Sequence, residues 1–551
     1  MSAVPIDSKF FNHDAQAGGF FPVTHINPGF DIDSYISGPG QNMLVEGIRG
    51  TGKTHVLKMI ASKCINSYPE KKILPVYLSL AKFTEWQDSD IRLFRIQLYA
   101  NIVSETISTI ENNKGKIGSR KEGFEKALEN IKNMFGVKSD DNIDSILSRI
   151  KEINEDLLSK LTYNPERILE KQATENTNKA SITSTSSVSS PVAKSTVQLS
   201  FEQFKSLLQE QSVQFVGKNL AYENAAGFII SFFKELKSIL GCKYTILLLD
   251  ECSEASHGAQ VEIFRLLKLV RGTCTEDMQT NYVYFFASVY PSYATSYPPS
   301  FEPGQDAGVE YLQLDELSDE YEAFFYELTK KRLELVFDKS VISPIEELFE
   351  NDKAFYLAAY GANGIPRRYF EILKQSYSTL CQRADSDSIN QKISLKDVGD
   401  AIQTVASNQI LSQNKLTNDN FSVIEYIIKR ISQRNKKIET ENKDKEKPVP
   451  ANVYFTINRS QYDMITPLLL QGCLHDKGRT RLKKYYKEDG SQGPLIMLDL
   501  SLAYQGGAIL RQKAVAIFRN DLKVNAKDGY SSCQDILFQK HIKDNMYLQL
   551  S

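Results

Sequence analysis

Residues 43–63 read MLVEGIRGTGKTHVLKMIASK, and no other stretch constrains the fold as tightly. Gly47 is followed by four residues and then Gly52-Lys53-Thr54, the spacing G-x-x-x-x-G-K-[ST] of a backbone cradle for phosphate groups. Gly47, Gly50 and Gly52 let the chain curl with its amides pointing inward, and a helix starting near Lys53 adds its positive end. Thr51 and His55 complete the candidate nucleotide-contacting set. Lys53 is placed to reach the outer phosphates as a point charge, and the Thr54 hydroxyl to take one coordination position on a magnesium ion that keeps most of its water. The flanks agree: NMLVE reads as a short strand, and THVLKMIASKCI carries apolar residues at helical spacing.

A second segment, YTILLLDECSEAS (244–256), is an apolar run ending in Asp250-Glu251, the pattern of a central parallel strand that delivers two carboxylates at its C-terminal edge. Asp250 is a candidate for holding magnesium, directly or through water, and Glu251 for polarising an attacking water as general base. The next predicted strand, in NYVYFFASVYP, ends near Ser288, a candidate sensor of the terminal phosphate or of the water. A further strand is predicted over 309–317, after which the pattern turns helical. There GIPRR puts Pro366 in a helix first turn and offers Arg367 to the phosphates.

The chain has 551 residues, too many for one core, so two or three domains are expected. A formal charge of -2 gives no global basic excess, and any nucleic-acid face must be local. The seven cysteines form no C-x-x-C pair and the six histidines no metal-ligand spacing, which argues against a zinc site or a disulfide framework and for a reducing, cytoplasmic setting. No run reaches membrane-spanning length, and the N-terminus lacks a signal-peptide pattern.

The C-terminal third reads as a helix from DNFSVIEYIIKRISQRNKK, a charged loop NKKIETENKDKEKP, a strand and helix in VYFTINRSQYDMITPLLLQGCL, and a strand pair in GPLIMLDLSLAY, compatible with a winged-helix fold. Lys477, Arg479, Arg481, Lys483 and Lys484 cluster with Tyr485 and Tyr486, a combination able to follow a phosphate backbone and stack on bases, or simply to form a solvated charged loop.

The order GIRGTGKT, ILLLDE, a strand ending in Ser288, and a helical segment with GIPRR resembles the AAA+ ATPases of the origin-recognition and replication-initiator branch, and the allied signal-transduction ATPases with numerous domains (STAND). The resemblance implies an α/β P-loop NTPase core with a parallel sheet (42–316), a helical lid (317–415) and a C-terminal winged-helix-like domain and tail (416–551), after an N-terminal extension (1–41). It implies ATP at Gly47–Thr54, Mg2+ at Thr54 and Asp250, catalysis by Lys53, Asp250, Glu251 and Ser288, and nucleotide sensing by Arg367. The roughly two hundred residues between Lys53 and Asp250 exceed what such a core needs. A helical insertion over about 100–235 is therefore expected, with a disordered Ser/Thr-rich loop at 174–198. Arg265 and Arg271 are the positions an inter-subunit arginine could occupy. The expected partners are further copies of the chain or an effector protein, with DNA or RNA possible and no membrane. The expected role is a nucleotide-dependent switch, and the alternative is a STAND-like signalling or antiphage-defence scaffold.

Overall fold

The structure, a computed structural model, describes residues 6–527 apart from 13–14, 16–17, 19, 28–30, 39, 82–90, 118–123, 138–141, 164–212, 214–215, 218–219, 222–224, 273–280, 384–391, 412–415, 447, 458–461 and 482–491. The Ser/Thr-rich loop expected at 174–198 lies outside the described residues, as do Lys483 and Lys484.

A short helix α1 (Ser8–Phe11) precedes β1 (Met43–Glu46), the glycine loop and α2 (Lys53–Asn66), and β2 (Ile73–Ser79) follows. Helices α3 (Ile91–Asn112), α4 (Phe124–Phe135), α5 (Ile143–Tyr163) and α6 (Ala225–Leu240) separate β2 from β3 (Tyr244–Asp250). Then α7 (His257–Arg271) leads to β4 (Val283–Val289) and β5 (Gly308–Tyr311). The strands form one five-stranded sheet in the order β2-β3-β4-β1-β5, every neighbouring pair parallel. In a parallel sheet all C-terminal strand ends lie on one edge, where ligands settle. Here that edge carries Ser79, Asp250, Val289 and Glu46.

Alternation along β3 explains why this strand is buried on both faces. Ile246 and Leu248 join Val45 and Phe286 against Val56, Leu57 and Ile60 of α2. Leu247 and Leu249 face the opposite way, into a core shared with α3, α6 and α7. The inserted helices therefore share the core of the sheet. A buried side-on pair adds specificity to that packing: Arg95 of α3 donates from Nε and Nη2 to the two carboxylate oxygens of Glu262 on α7, at 2.6 and 3.1 Å.

Beyond β5 come the lid helices α8 (Tyr321–Phe337), α9 (Asp352–Gly361), α10 (Pro366–Arg383) and α11 (Leu395–Val405). The strand expected over 309–317 stops at Tyr311. After Leu312 donates its amide to the Glu46 carbonyl the chain leaves the sheet, and Gln313 turns to bond the imidazole of His475. The C-terminal unit places α12 (Asn418–Glu441), β6 (Tyr454–Thr456), α13 (Tyr462–Leu470), β7 (Leu474–Arg481), β8 (Gln492–Leu498) and α14 (Leu500–Gln505) in succession. Its sheet is antiparallel in the order β6-β8-β7, a winged-helix-like arrangement. The segment expected as a charged loop from residue 435 is helical to Glu441 instead, because Ile424, Ile427, Ile431 and Ile438 keep one apolar stripe buried. Lid and C-terminal unit bury their side chains in one continuous core. Among the described residues no helix is long and apolar enough to cross a membrane.

Candidate nucleotide-binding site

Glycine is required at two points of the loop after β1. Gly50 and Gly52 hold φ of 90° and 96°, left-handed values that an L side chain rarely adopts. Gly50 also lies under the lid: a Cβ there would stand 3.0 Å from the Cβ of Arg367, whose own amide donates to the Gly50 carbonyl at 3.3 Å. The loop thus meets the lid directly. Thr51 is buried and its hydroxyl donates to the Ile48 carbonyl at 2.9 Å, tying the loop to itself. Lys53, at the first position of α2, donates its ammonium to the carbonyls of Gly47 (2.6 Å) and Ile48 (3.0 Å) and sits 4.7 Å from the Tyr290 ring centroid. Loss of hydration pushes its pKa down to about 8 against the pull of Asp250 and Glu254, with Arg367 and Arg49 adding to the depression.

Across the cavity, the end of β3 is held by hydroxyls. Asp250 is buried. Its Oδ1 accepts from Ser288 Oγ at 2.6 Å and its Oδ2 from Tyr77 of β2 at 2.8 Å. Glu251 adopts φ 65°, a left-handed turn uncommon outside glycine. Its amide donates to Ser288 Oγ at 2.8 Å, which stabilises that turn. Glu251 Oε2 accepts from Ser79 Oγ at 2.6 Å, Ser79 being the register partner of Asp250 on the adjacent strand. Ser288 is therefore a hub that receives one hydrogen bond from the Glu251 amide and passes one to Asp250.

These parts line a single cavity of ≈ 310 Å³. Gly50 to Thr54, Asp250, Glu251, Ser288 and Arg367 line it together, with Arg49 and Glu254 beside them. The N-terminal segment and the lid supply the rest of the lining. His25 and His55 stack with ring centroids 5.3 Å apart, and Phe20 meets His55 edge-on at 5.3 Å. Burial pushes the two imidazoles down to about 4 and about 3, so both are neutral at pH 7. Phe324, Leu328, Phe370 and Arg332 complete this wall. The cavity thus brings together loop, acidic strand end, Ser288, His55 and Arg367.

Other candidate residues fall elsewhere. Lys477 is a correction: its ammonium bonds Glu316 at 2.6 Å and Asp315 at 3.5 Å, with the side chain only 13% exposed, so it anchors β7 to the lid entrance rather than facing solvent. Arg479 and Arg481 lie on β7 opposite Pro494 and Gln492. Arg271 shares Asp306 with Lys268, whereas Arg265 of α7 is exposed. Residues missed in the sequence are Tyr77, Ser79, Tyr290 and Arg332. Only Ser79 carried a signal, since it ends an apolar run that pairs with the acidic strand.

No family model matches the chain, and no curated protein matches it. Among solved structures the chain is similar to the Aeropyrum pernix ORC2 protein in its ADPNP–ADP complexes, at 13% identity and TM-score 0.38, over 95% of this chain and 99% of that one. It is also similar to the Aeropyrum pernix ORC1 protein in complex with DNA, at 12% identity and TM-score 0.28, over 89% of this chain and 88% of that one. At such values the fold assignment rests on the strand order and loop geometry of the chain itself.

Proposed function

We propose that the chain is a nucleotide-dependent switch of AAA+ type that binds and hydrolyses ATP with Mg2+ and assembles with further copies of itself or with a partner. The single observation that carries this reading is the shared cavity, in which the glycine loop, the acidic end of β3 and an arginine of the lid face one another. Thr54 and Asp250 suit a magnesium ion: one supplies a hydroxyl, and the other a carboxylate aimed by two O–H donors with lone pairs to spare for water. Bound there, the ion would withdraw charge from phosphate oxygens.

Each protein group then has a task. The Lys53 ammonium, parked on two loop carbonyls, exchanges them for phosphate oxygens. Glu251 accepts a proton from the attacking water once its carboxylate leaves Ser79, and Ser288 keeps Asp250 and the Glu251 backbone in register. Arg367 links closure of the lid to the shape of the loop through Gly50. Phosphoryl transfer asks mainly for such placed charge. Replacing Glu251 with Gln is expected to lower turnover by roughly 10²–10⁴ while nucleotide stays bound. Unchanged single-turnover hydrolysis in that variant would refute the assignment.

Partner choice is favoured one way by a specific observation. In the C-terminal unit α13 carries no lysine or arginine, exposes Asp463, and packs Tyr462 edge-on against Tyr293 of the core. A helix of this charge is poorly suited to a major groove. Nucleic-acid contact then falls to the basic cluster of Arg479, Arg481, Lys483 and Lys484, and the scaffold alternative with a protein effector gains weight. Duplex binding that collapses as salt rises, and that weakens when these four charges are neutralised, would restore the initiator-like role.

A further inference from the structure

Among the described residues, two arginines present the same edge of the guanidinium to a single carboxylate. Arg95 and Arg519 each present Nε and Nη2 side by side to the two oxygens of one carboxylate, Glu262 and Glu322 respectively. That edge is a planar two-donor fork that matches two adjacent acceptors. Arg332, on α8 of the lid, is more deeply buried, at 5% exposed, yet its fork is open. Its Nη1 donates to the carbonyls of Asn12 (2.9 Å) and Lys9 (3.3 Å), and its Cζ stands over the rings of Phe21 and Phe370, 5.0 and 4.9 Å from their centroids. Its Nε is buried without a hydrogen-bond partner, and among the described residues no carboxylate pairs with it. The residue lines the same cavity as the glycine loop and acts on the His55 imidazole there. A buried cation whose donors stay unsatisfied is costly, and a ligand that supplies the acceptors recovers that cost on binding.

We propose that Arg332 is a specificity-determining residue for the nucleoside: its Nε/Nη2 fork receives two adjacent hydrogen-bond acceptors of the nucleotide bound in the cavity. This rests on the nucleotide reading above and narrows it. With its triphosphate on the glycine loop, a nucleotide extends its ribose past His55 and its base toward Arg332. Phe21 and Phe370 both pack against the guanidinium, so its unpartnered Nε edge is what it offers to a base. Two nucleoside edges offer the required pair. One is ring N3 with the ribose 2′ oxygen, present in ATP and GTP alike. The other is O6 with N7, present in GTP and ITP but not in ATP, whose 6-amino group would oppose one arm of the fork.

The test is calorimetric binding of ATP, 2′-deoxy-ATP, ITP and GTP to the full chain, repeated with Arg332→Lys, which keeps the charge and loses the fork. Loss of one arm of a charge-assisted pair is expected to weaken binding about tenfold or more. If the N3/O2′ edge is read, ATP, ITP and GTP bind alike and 2′-deoxy-ATP binds more weakly. If the O6/N7 edge is read, ITP and GTP bind alike and more tightly than ATP and 2′-deoxy-ATP. In either case Arg332→Lys levels the difference. The wild-type panel alone tests the idea should that variant fold poorly. Equal affinity for all four nucleotides in the wild-type chain, or a preference that survives Arg332→Lys, would overturn the proposal and leave Arg332 as a strap between α1 and the lid. Failure of the underlying nucleotide reading looks different: no member of the panel binds, or Lys53→Ala changes nothing.

Discussion

The glycine-loop side of the cavity and the junction between lid and C-terminal unit are both charged and largely enclosed, yet they are wired in opposite ways. At the junction every charge is closed on a partner. Arg368 pairs with the fully buried Asp499; His475 donates from Nε2 to the same carboxylate at 3.0 Å and accepts at Nδ1 from Gln313 at 2.8 Å; Lys477 is satisfied by Glu316. Burial holds the His475 imidazole below its ordinary pKa, which fixes it as the neutral Nε2–H form in this network. At the glycine-loop side Lys53 rests on backbone carbonyls and Glu251 on a serine hydroxyl, contacts that can be traded for a ligand at little loss. Adjacent residues divide the two behaviours: Arg367 belongs to the cavity and Arg368 to the junction. Closed charge specifies structure, and exchangeable charge marks a site.

The largest expected effect breaks the junction. Arg368→Ala leaves the Asp499 carboxylate buried without the guanidinium that balances its charge and should lower stability by about 3–5 kcal/mol, read from urea or thermal unfolding. The double change Arg368→Met with Asp499→Leu should restore part of that loss. Equal damage from single and double changes would contradict the closed-network view. At the other region, Lys53→Ala should weaken nucleotide binding by roughly a hundredfold while leaving the melting temperature of the empty protein nearly unchanged.

Acid should separate the regions further. His25, His55 and His475 all have folded-state pKa values depressed by burial, to about 4 and about 3 for the first two. At these three imidazoles the unfolded chain therefore binds more protons below about pH 6.5, and their contribution to stability falls as pH drops from there toward 4, opposed in part by Glu46, whose carboxyl burial raises to about 7. Asp499 acts in the same direction lower down: although burial pushes its carboxyl up, the Arg368 guanidinium and His475 hold it below the usual range, so its contribution is lost as pH falls beneath about 4. Unfolding midpoints between pH 7 and 4 should show this slope, flattened in His25→Gln and His55→Gln. In the alkaline direction Lys53, at about 8, sheds its proton from the empty site, so nucleotide affinity should decline above about pH 8 as binding has to recover that proton.

The smallest effect concerns the basic cluster that begins on β7. Neutralising Arg479, Arg481, Lys483 and Lys484 should lower the salt slope of any DNA or RNA binding by about 0.9 for each phosphate that is no longer neutralised. Lys477→Ala should leave that slope unchanged and lower the melting temperature instead.

The local requirements of the site could be read from the chain because they are local. Left-handed turns at Gly50 and Gly52, a lysine opening a helix, and an apolar run ending in two carboxylates are each set by neighbours a few residues apart. The α/β class followed from the same short-range patterns, as did the excess of chain before Asp250. What no local pattern held was the pairing of distant segments. Ser79 reaches Glu251, and Tyr77 reaches Asp250, only because β2 lies beside β3 in register. Lys477 reads as a surface charge in its basic cluster until the fold sets Glu316 against it. Arg332 is one more helical arginine until α1, Phe21 and Phe370 enclose it. The sequence by itself determined where a glycine loop, a helix-opening lysine and an acidic strand end form, since backbone conformation and residue type suffice for that. Only the tertiary structure decided which charges are closed and which stay open, because that depends on burial and on partners brought from hundreds of residues away.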